Sequence, residues 1–304
     1  MPTNDKTCKA SSARAISRRS ALAGAGVAIA GVSLAGRVAA EDAPYRIERD
    51  RIRQSICSWC YKPLSIDELC QAAVEIGYRS VELLQPQHFA TLKKHGLDCA
   101  MTSSHGFTKG FAIPEDHAEC IEKLGPAIDA TADAGFPNVI TFSGITTKIS
   151  KEDGIKNAVA GLKKIVGHAE RRKVNLCIEM LNSRVAVEMK GHPGYLADNV
   201  EWVVEVCKQV GSPRLKLLFD IYHVQIMQGD VIQRINEFKD YIAHYHTAGN
   251  PGRNDLDDDQ EINYPAVMKA IAATGYQGYV GQEFIPKGKD VVAALRAAAR
   301  TCDV

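Results

Sequence analysis

The chain has 304 residues, 45% hydrophobic and 24% charged, with a formal net charge of +1. Its first 40 residues hold six basic side chains against one acid, a net of +5, so residues 41–304 carry −4. That balance leaves no basic stripe and speaks against nucleic acid as a partner, while the 264 remaining residues come close to the ~250 of a single (β/α)8 barrel.

Residues 1–40 read as an address rather than as fold. A polar, basic stretch ends in Ser17-Arg18-Arg19-Ser20, a weakly apolar run follows from Ala21 to Gly36, and small residues close the segment at Arg37-Val38-Ala39-Ala40. This is the order of a secretory signal, with cleavage predicted after Ala40. The paired arginines before the apolar run point to twin-arginine export and a periplasmic location. The run has 16 residues, rich in Gly and Ala, against the ~20 that span a bilayer, so no stable anchor is expected after cleavage.

The mature chain, from about residue 46 to 304, alternates short apolar runs with longer amphipathic ones, the pattern of a parallel α/β fold. Ile52–Cys57 reads as the first strand. Ser65 and Glu68 form a capping box that opens a helix to Ile76, and Gly77 ends it. Ser80–Leu84 is the second strand, His88–His95 a short helix stopped by Gly96, and Asp98–Ser103 the third strand. A helix over Glu115–Ala134 stops at Gly135. Asn138–Ser143 is the fourth strand, and Ser150 opens one long helix to about Arg172. Val174–Met180, Leu215–Asp220, Ile242–Thr247 and Tyr279–Phe284 are the fifth to eighth strands. The intervening and closing helices run over Asp198–Val210, Val231–Phe238, Tyr264–Ala273 and Lys289–Arg300. Eight such units favour a closed barrel. A doubly wound sheet would call for a glycine-rich phosphate turn, and neither GxGxxG nor GxxxxGK[ST] occurs.

Nine cysteines are present, and Cys8 leaves with the signal. Cys70, Cys99, Cys120, Cys177 and Cys207 fall in helix-like or strand-like patterns, as small buried hydrophobes do. Cys57-Ser58-Trp59-Cys60 is a CxxC at a strand end, which lacks the helix that a thioredoxin-type redox motif opens.

A barrel does its chemistry at the C-terminal ends of its strands. The fifth strand ends in Glu179, the sixth in Asp220, the seventh in His244-Tyr245-His246 and the eighth in Glu283. A single strand-end carboxylate is usually a loop cap or an ion-pair partner. Four successive strands that each deliver an acid or an imidazole are different, because the three carboxylates converging on one mouth repel unless a cation neutralises them. Mostly oxygen donors with one nitrogen suit Mn²⁺, Mg²⁺ or Co²⁺. Trp59 and His105, after the first and third strands, are candidates to line the pocket. Glu82 on the second strand has two readings, substrate contact or an ion pair with a basic residue in the barrel wall.

The segment Phe219-Asp220-Ile221-Tyr222-His223-Val224-Gln225-Ile226-Met227-Gln228-Gly229-Asp230 resembles the FDIYHxQxMxG(D/E) segment of the hydroxypyruvate isomerase family, within the xylose-isomerase-like barrel superfamily that also holds ketose 3-epimerases. Leu176–Glu179 with Asn182 resembles its LxIEPIN strand, His244–Arg253 its GHxQIADNPxR segment, and Gly278–Phe284 its GWxGxEY. By position, the resemblance implies that Glu179 and Glu283 are the paired catalytic glutamates and also metal ligands. It implies that Asp220 and His246 complete the metal set and that His223 and Arg253 contact substrate. The chain departs from the isomerase pattern at His246, where those proteins carry Gln and the epimerases His, and at Met180 and Gly249.

The implied activity is an isomerase of small hydroxy-carbonyl compounds, such as hydroxypyruvate to tartronate semialdehyde, in which one glutamate removes a proton beside the carbonyl and the other returns it across an enediolate. Return to the opposite face of the same carbon would make a ketose 3-epimerase. The same build also suits a metal-dependent lyase or dehydratase, or a non-catalytic sugar-binding barrel. The resemblance implies assembly as dimers or tetramers.

Overall fold

The computed structural model describes residues 44–304; the signal segment and its cleavage point lie outside the described residues. Seven parallel strands, β1 (Arg53–Cys57), β2 (Ser80–Glu82), β3 (Asn138–Thr141), β4 (Asn175–Glu179), β5 (Leu215–Asp220), β6 (Ile242–Thr247) and β7 (Tyr279–Gln282), form one curled sheet in the order β2-β1-β7-β6-β5-β4-β3. Side chains on both faces are buried along most strands, as expected for a parallel sheet wrapped in helices.

The third strand expected from sequence is not a regular ladder. Asp98–Thr102 lies between the two ends of the sheet, with isolated parallel bridges from Ser80 to Asp98, Leu84 to Thr102 and Thr102 to Val139. Its middle is held by side chains instead of backbone. Ala100 N donates to Ser80 Oγ (2.8 Å), and Asn138 Nδ2 donates to Ala100 O (2.8 Å). Two short polar residues on the flanking strands thus take the backbone partners that a regular strand would use.

Most helices sit where local chemistry puts them. In α1 (Ile66–Ile76) both halves of the Ser65–Glu68 capping box are made, and Gly77 closes the helix at φ +97°. There follow α2 (Phe89–Lys94) and α3 (His117–Ala134). The long helix expected from Ser150 to Arg172 is two, α4 (Lys151–Leu162) and α5 (Val166–Arg172). Between them Lys164 N, Ile165 N and His168 N bond three residues back instead of four, a tightening that turns Ile165 into the core. Next come α6 (Val200–Val210), capped by Asn199, and α7 (Ile221–Met227), a helix not anticipated from sequence. The last three are α8 (Val231–Phe238), α9 (Tyr264–Ala273) and α10 (Val291–Cys302). The eight cysteines of the described residues are buried and unpaired. No helix among those residues is long and apolar enough to cross a membrane.

Candidate active site

Register places the strand-end residues at one level. Asp220 on β5 pairs with His246 on β6, His246 pairs with Gly281 on β7, and Glu283 follows β7 directly. One ligand atom each from Glu179, Asp220, His246 and Glu283 falls within a cluster no wider than 4.8 Å. All four are buried. His246 Nδ1 stands 3.3 Å from Glu179 Oε1 and 3.1 Å from Glu283 Oε2. Its Nε2 lies 2.8 Å from Glu82 Oε1, which His244 Nε2 also meets at 2.7 Å. Glu82 therefore pairs with two histidines in the barrel interior. Asp220 serves twice: Oδ1 caps α7 by accepting from His223 N (3.0 Å), leaving Oδ2 for the cluster.

The residues expected to contact substrate ring this cluster. Arg253, at φ +57°, donates from Nη2 to Glu283 Oε2 (2.5 Å) and from Nη1 to Met189 O (2.6 Å). Its guanidinium lies 5.1 Å from the Trp59 ring and 5.8 Å from the Tyr222 ring. Trp59 Nε1 donates to the other oxygen of Glu283 (2.9 Å). His223 Nδ1 accepts from the Asn182 backbone N–H (3.1 Å), so the neutral ring carries its proton on Nε2, which stands 3.6 Å from Asp220 Oδ2 and has no hydrogen-bond partner among the described residues. His105 Nε2 lies 2.8 Å from Thr141 Oγ1, and the ring lines the cavity from the far side. Trp59, His105, Phe107, Glu179, Arg253 and Glu283 border this cavity of about 230 Å³. A wider depression of about 580 Å³, bordered by Arg49, Asp257 and Glu261, contains none of these groups.

Electrostatics separates the carboxylates. Burial pushes the Asp220 carboxyl up to about 8, with Arg253 opposing the rise and Glu283 adding to it. Burial and then the charge of Glu283 raise Glu179. For Glu283 burial is outweighed by Arg253 and His246, which hold its carboxyl well below the usual range. Burial also opposes a charged His246, but Cys57, Glu283 and Glu179 keep its proton well above the usual imidazole range. Burial and Arg253 hold His223 and His192 neutral, His192 at about 4.

The donor set fits a hard divalent cation. Three buried carboxylates face one imidazole nitrogen whose ring partner is fixed by another carboxylate, the arrangement that metal-binding histidines favour. His192, Phe107 and Tyr222 went unassigned in the sequence. His192 and Phe107 come from irregular loops with no periodic signal, and the His192 ring packs 4.4 Å from that of Phe107. Asn182 lies within a recognised segment, but no motif spells out its hold on His223, whose Nδ1 meets both the Asn182 backbone N–H (3.1 Å) and its side-chain Nδ2 (2.6 Å).

Residues 70–301 match the family described as the xylose isomerase-like TIM barrel, and the chain belongs to that family. Its named relatives are isomerases. A putative hydroxypyruvate isomerase of Homo sapiens is 26% identical over 230 residues, 74% of this chain and 76% of the relative. A 2-oxo-tetronate isomerase of Cupriavidus necator is 27% identical over 235 residues, 73% of this chain and 87% of the relative. In fold, the chain is similar to a 3-keto-D-glucoside 4-epimerase from E. coli, with a TM-score of 0.69 at 19% identity over 83% of this chain and 100% of that one.

Proposed function

We propose that the protein is a metal-dependent isomerase of the hydroxypyruvate type, moving a proton on a small hydroxy-carbonyl substrate with Glu179 and Glu283. The observation that carries this reading is the pair of glutamates flanking His246 Nδ1 at 3.3 and 3.1 Å on the floor of the cavity. Glu179, Asp220, His246 and Glu283 would hold the cation, which in this setting supplies Lewis-acid polarisation of a carbonyl.

The chain's own residues supply the rest. Trp59 and Arg253 each take one oxygen of Glu283, fixing its plane and keeping it ionised as the base. Glu179, raised by burial, is suited to carry a proton and return it. A proton leaves the hydroxyl-bearing carbon and returns to the former carbonyl carbon, while carbonyl and hydroxyl exchange places through an enediolate. The free Nε2–H of His223 and the unpartnered Nε of Arg253 are donors for substrate oxygens. Phe107, Leu181 and Met189 give the cavity an apolar wall. With a signal ending at Ala40, this chemistry would take place in the periplasm.

A second reading, a ketose 3-epimerase, is favoured by His246, since the resembling epimerases carry a histidine there. One experiment addresses both. Purified protein, stripped and reloaded with Mn²⁺, Mg²⁺ or Co²⁺, is incubated in D₂O with hydroxypyruvate or ketoses and followed by NMR. Deuterium should enter the carbon beside the carbonyl, and the product tells isomerisation from epimerisation. Absence of exchange with every cation and substrate would sink the proton-transfer reading.

A further inference from the structure

Beside the proposed ligand set, and sharing His246 with it, the barrel interior holds a second polar cluster. His244 and His246 lie two residues apart on β6, so both imidazoles point inward. Glu82 comes from β2, which is separated from β6 in the sheet by β1 and β7. Its reach across them depends on small neighbours. On β1, Cys57 leaves its sulfur 3.6 Å from both Glu82 Oε1 and His246 Nε2. On β7, Gly281 leaves no side chain at all: a Cβ there would sit 2.8 Å from Glu82 Oε1 and 3.0 Å from His246 Cδ2. Glu82 is fully buried, and its Oε2 has no partner among the described residues, so the two imidazoles are its compensation.

We infer that Glu82 is a positioning residue that accepts a hydrogen bond from the Nε2–H of His246 and so turns Nδ1 toward Glu179 and Glu283 as the nitrogen that meets a cation. The inference rests on the metal reading of the site and deepens it. A carboxylate can only accept, so a hydrogen bond at 2.8 Å requires hydrogen on His246 Nε2. Nδ1 then faces carboxylate oxygens at 3.1 and 3.3 Å, and a shared cation that displaces the proton between them turns this contact into ligation. The second imidazole, His244, holds Glu82 in register for this task.

The test reads the proton and the cation directly. In full-length, ¹⁵N-histidine-labelled protein loaded with Mg²⁺, long-range ¹H–¹⁵N spectra should show His246 protonated at Nε2, with the signal assigned by its loss in His246→Gln. Calorimetric titration with Mn²⁺ should show binding weakened about 10- to 100-fold in Glu82→Gln. A loaded parent protein with the His246 proton on Nδ1, or a Glu82→Gln protein that binds Mn²⁺ within about twofold of the parent, overturns the inference. Should Glu82→Gln not fold, the spectrum of the parent decides. A parent that binds no divalent cation overturns the metal reading instead, while its own spectrum still reports the histidine proton.

Discussion

Arg253 concentrates several demands in one side chain. Its guanidinium bonds Glu283, reaches Met189 O and lies against two aromatic rings, a combination that needs a planar, forked cation. Arg253→Lys keeps the charge and loses this geometry. At roughly 1.5–3 kcal/mol for a hydrogen bond to a charged group, kcat/KM should fall on the order of 10- to 100-fold, as steady-state kinetics would show. His192, which is not a proposed ligand, offers a pH signature of its own. Burial and Arg253 lower it from 6.5 to about 4, so the unfolded chain binds a proton before the folded one does. Its contribution to stability is full above pH 6.5 and is lost as pH falls through 4. His192→Phe, which keeps a ring against Phe107, should flatten the fall of Tm over that window; an unchanged pH profile would contradict it.

Among the elements, α1 shows how far local rules reach. Ser65 and Glu68 spell out its start, Gly77 its end, and both ends form as the sequence implies. Ser65→Ala should lower stability by about 1 kcal/mol in denaturant unfolding with no change in kcat, since the cap is exposed and does not border the cavity. Where the reading departs from the structure, tertiary partners decide. Nothing local in Asp98–Thr102 reveals that Ser80 and Asn138 side chains will replace its ladder. The turn between α4 and α5 interrupts a continuous helical pattern so that Ile165 can enter the core. The seven residues of α7 are too few to declare a period, and their capping residue, Asp220, reads first as a ligand. The convergence of Glu179, Asp220, His246 and Glu283 is legible because register repeats along a parallel sheet. Glu82 is legible as a possible ion-pair partner, but its two histidines are not, because they lie on a strand 162 and 164 residues away.

For the molecule as a whole, the central question is whether this curled, barrel-like sheet with its buried carboxylates gains stability and activity together from a cation. A ligand that binds only the folded state at 100 times its Kd adds about 2.7 kcal/mol. Mn²⁺ or Mg²⁺ should therefore raise Tm by a few degrees in a concentration-dependent way, and EDTA should reverse it. Paired glutamates at the mouth are the core of the functional account. Glu179→Gln and Glu283→Gln keep side-chain volume and remove the proton carrier, so each should slow turnover on the order of 10²- to 10⁴-fold. The most direct measurement is substrate deuterium exchange in D₂O with the cation-loaded parent and these two variants. Deuterium should appear beside the carbonyl with the parent and be almost completely lost in both variants; exchange at the parental rate in either one would rule out Glu179 and Glu283 as the paired proton carriers.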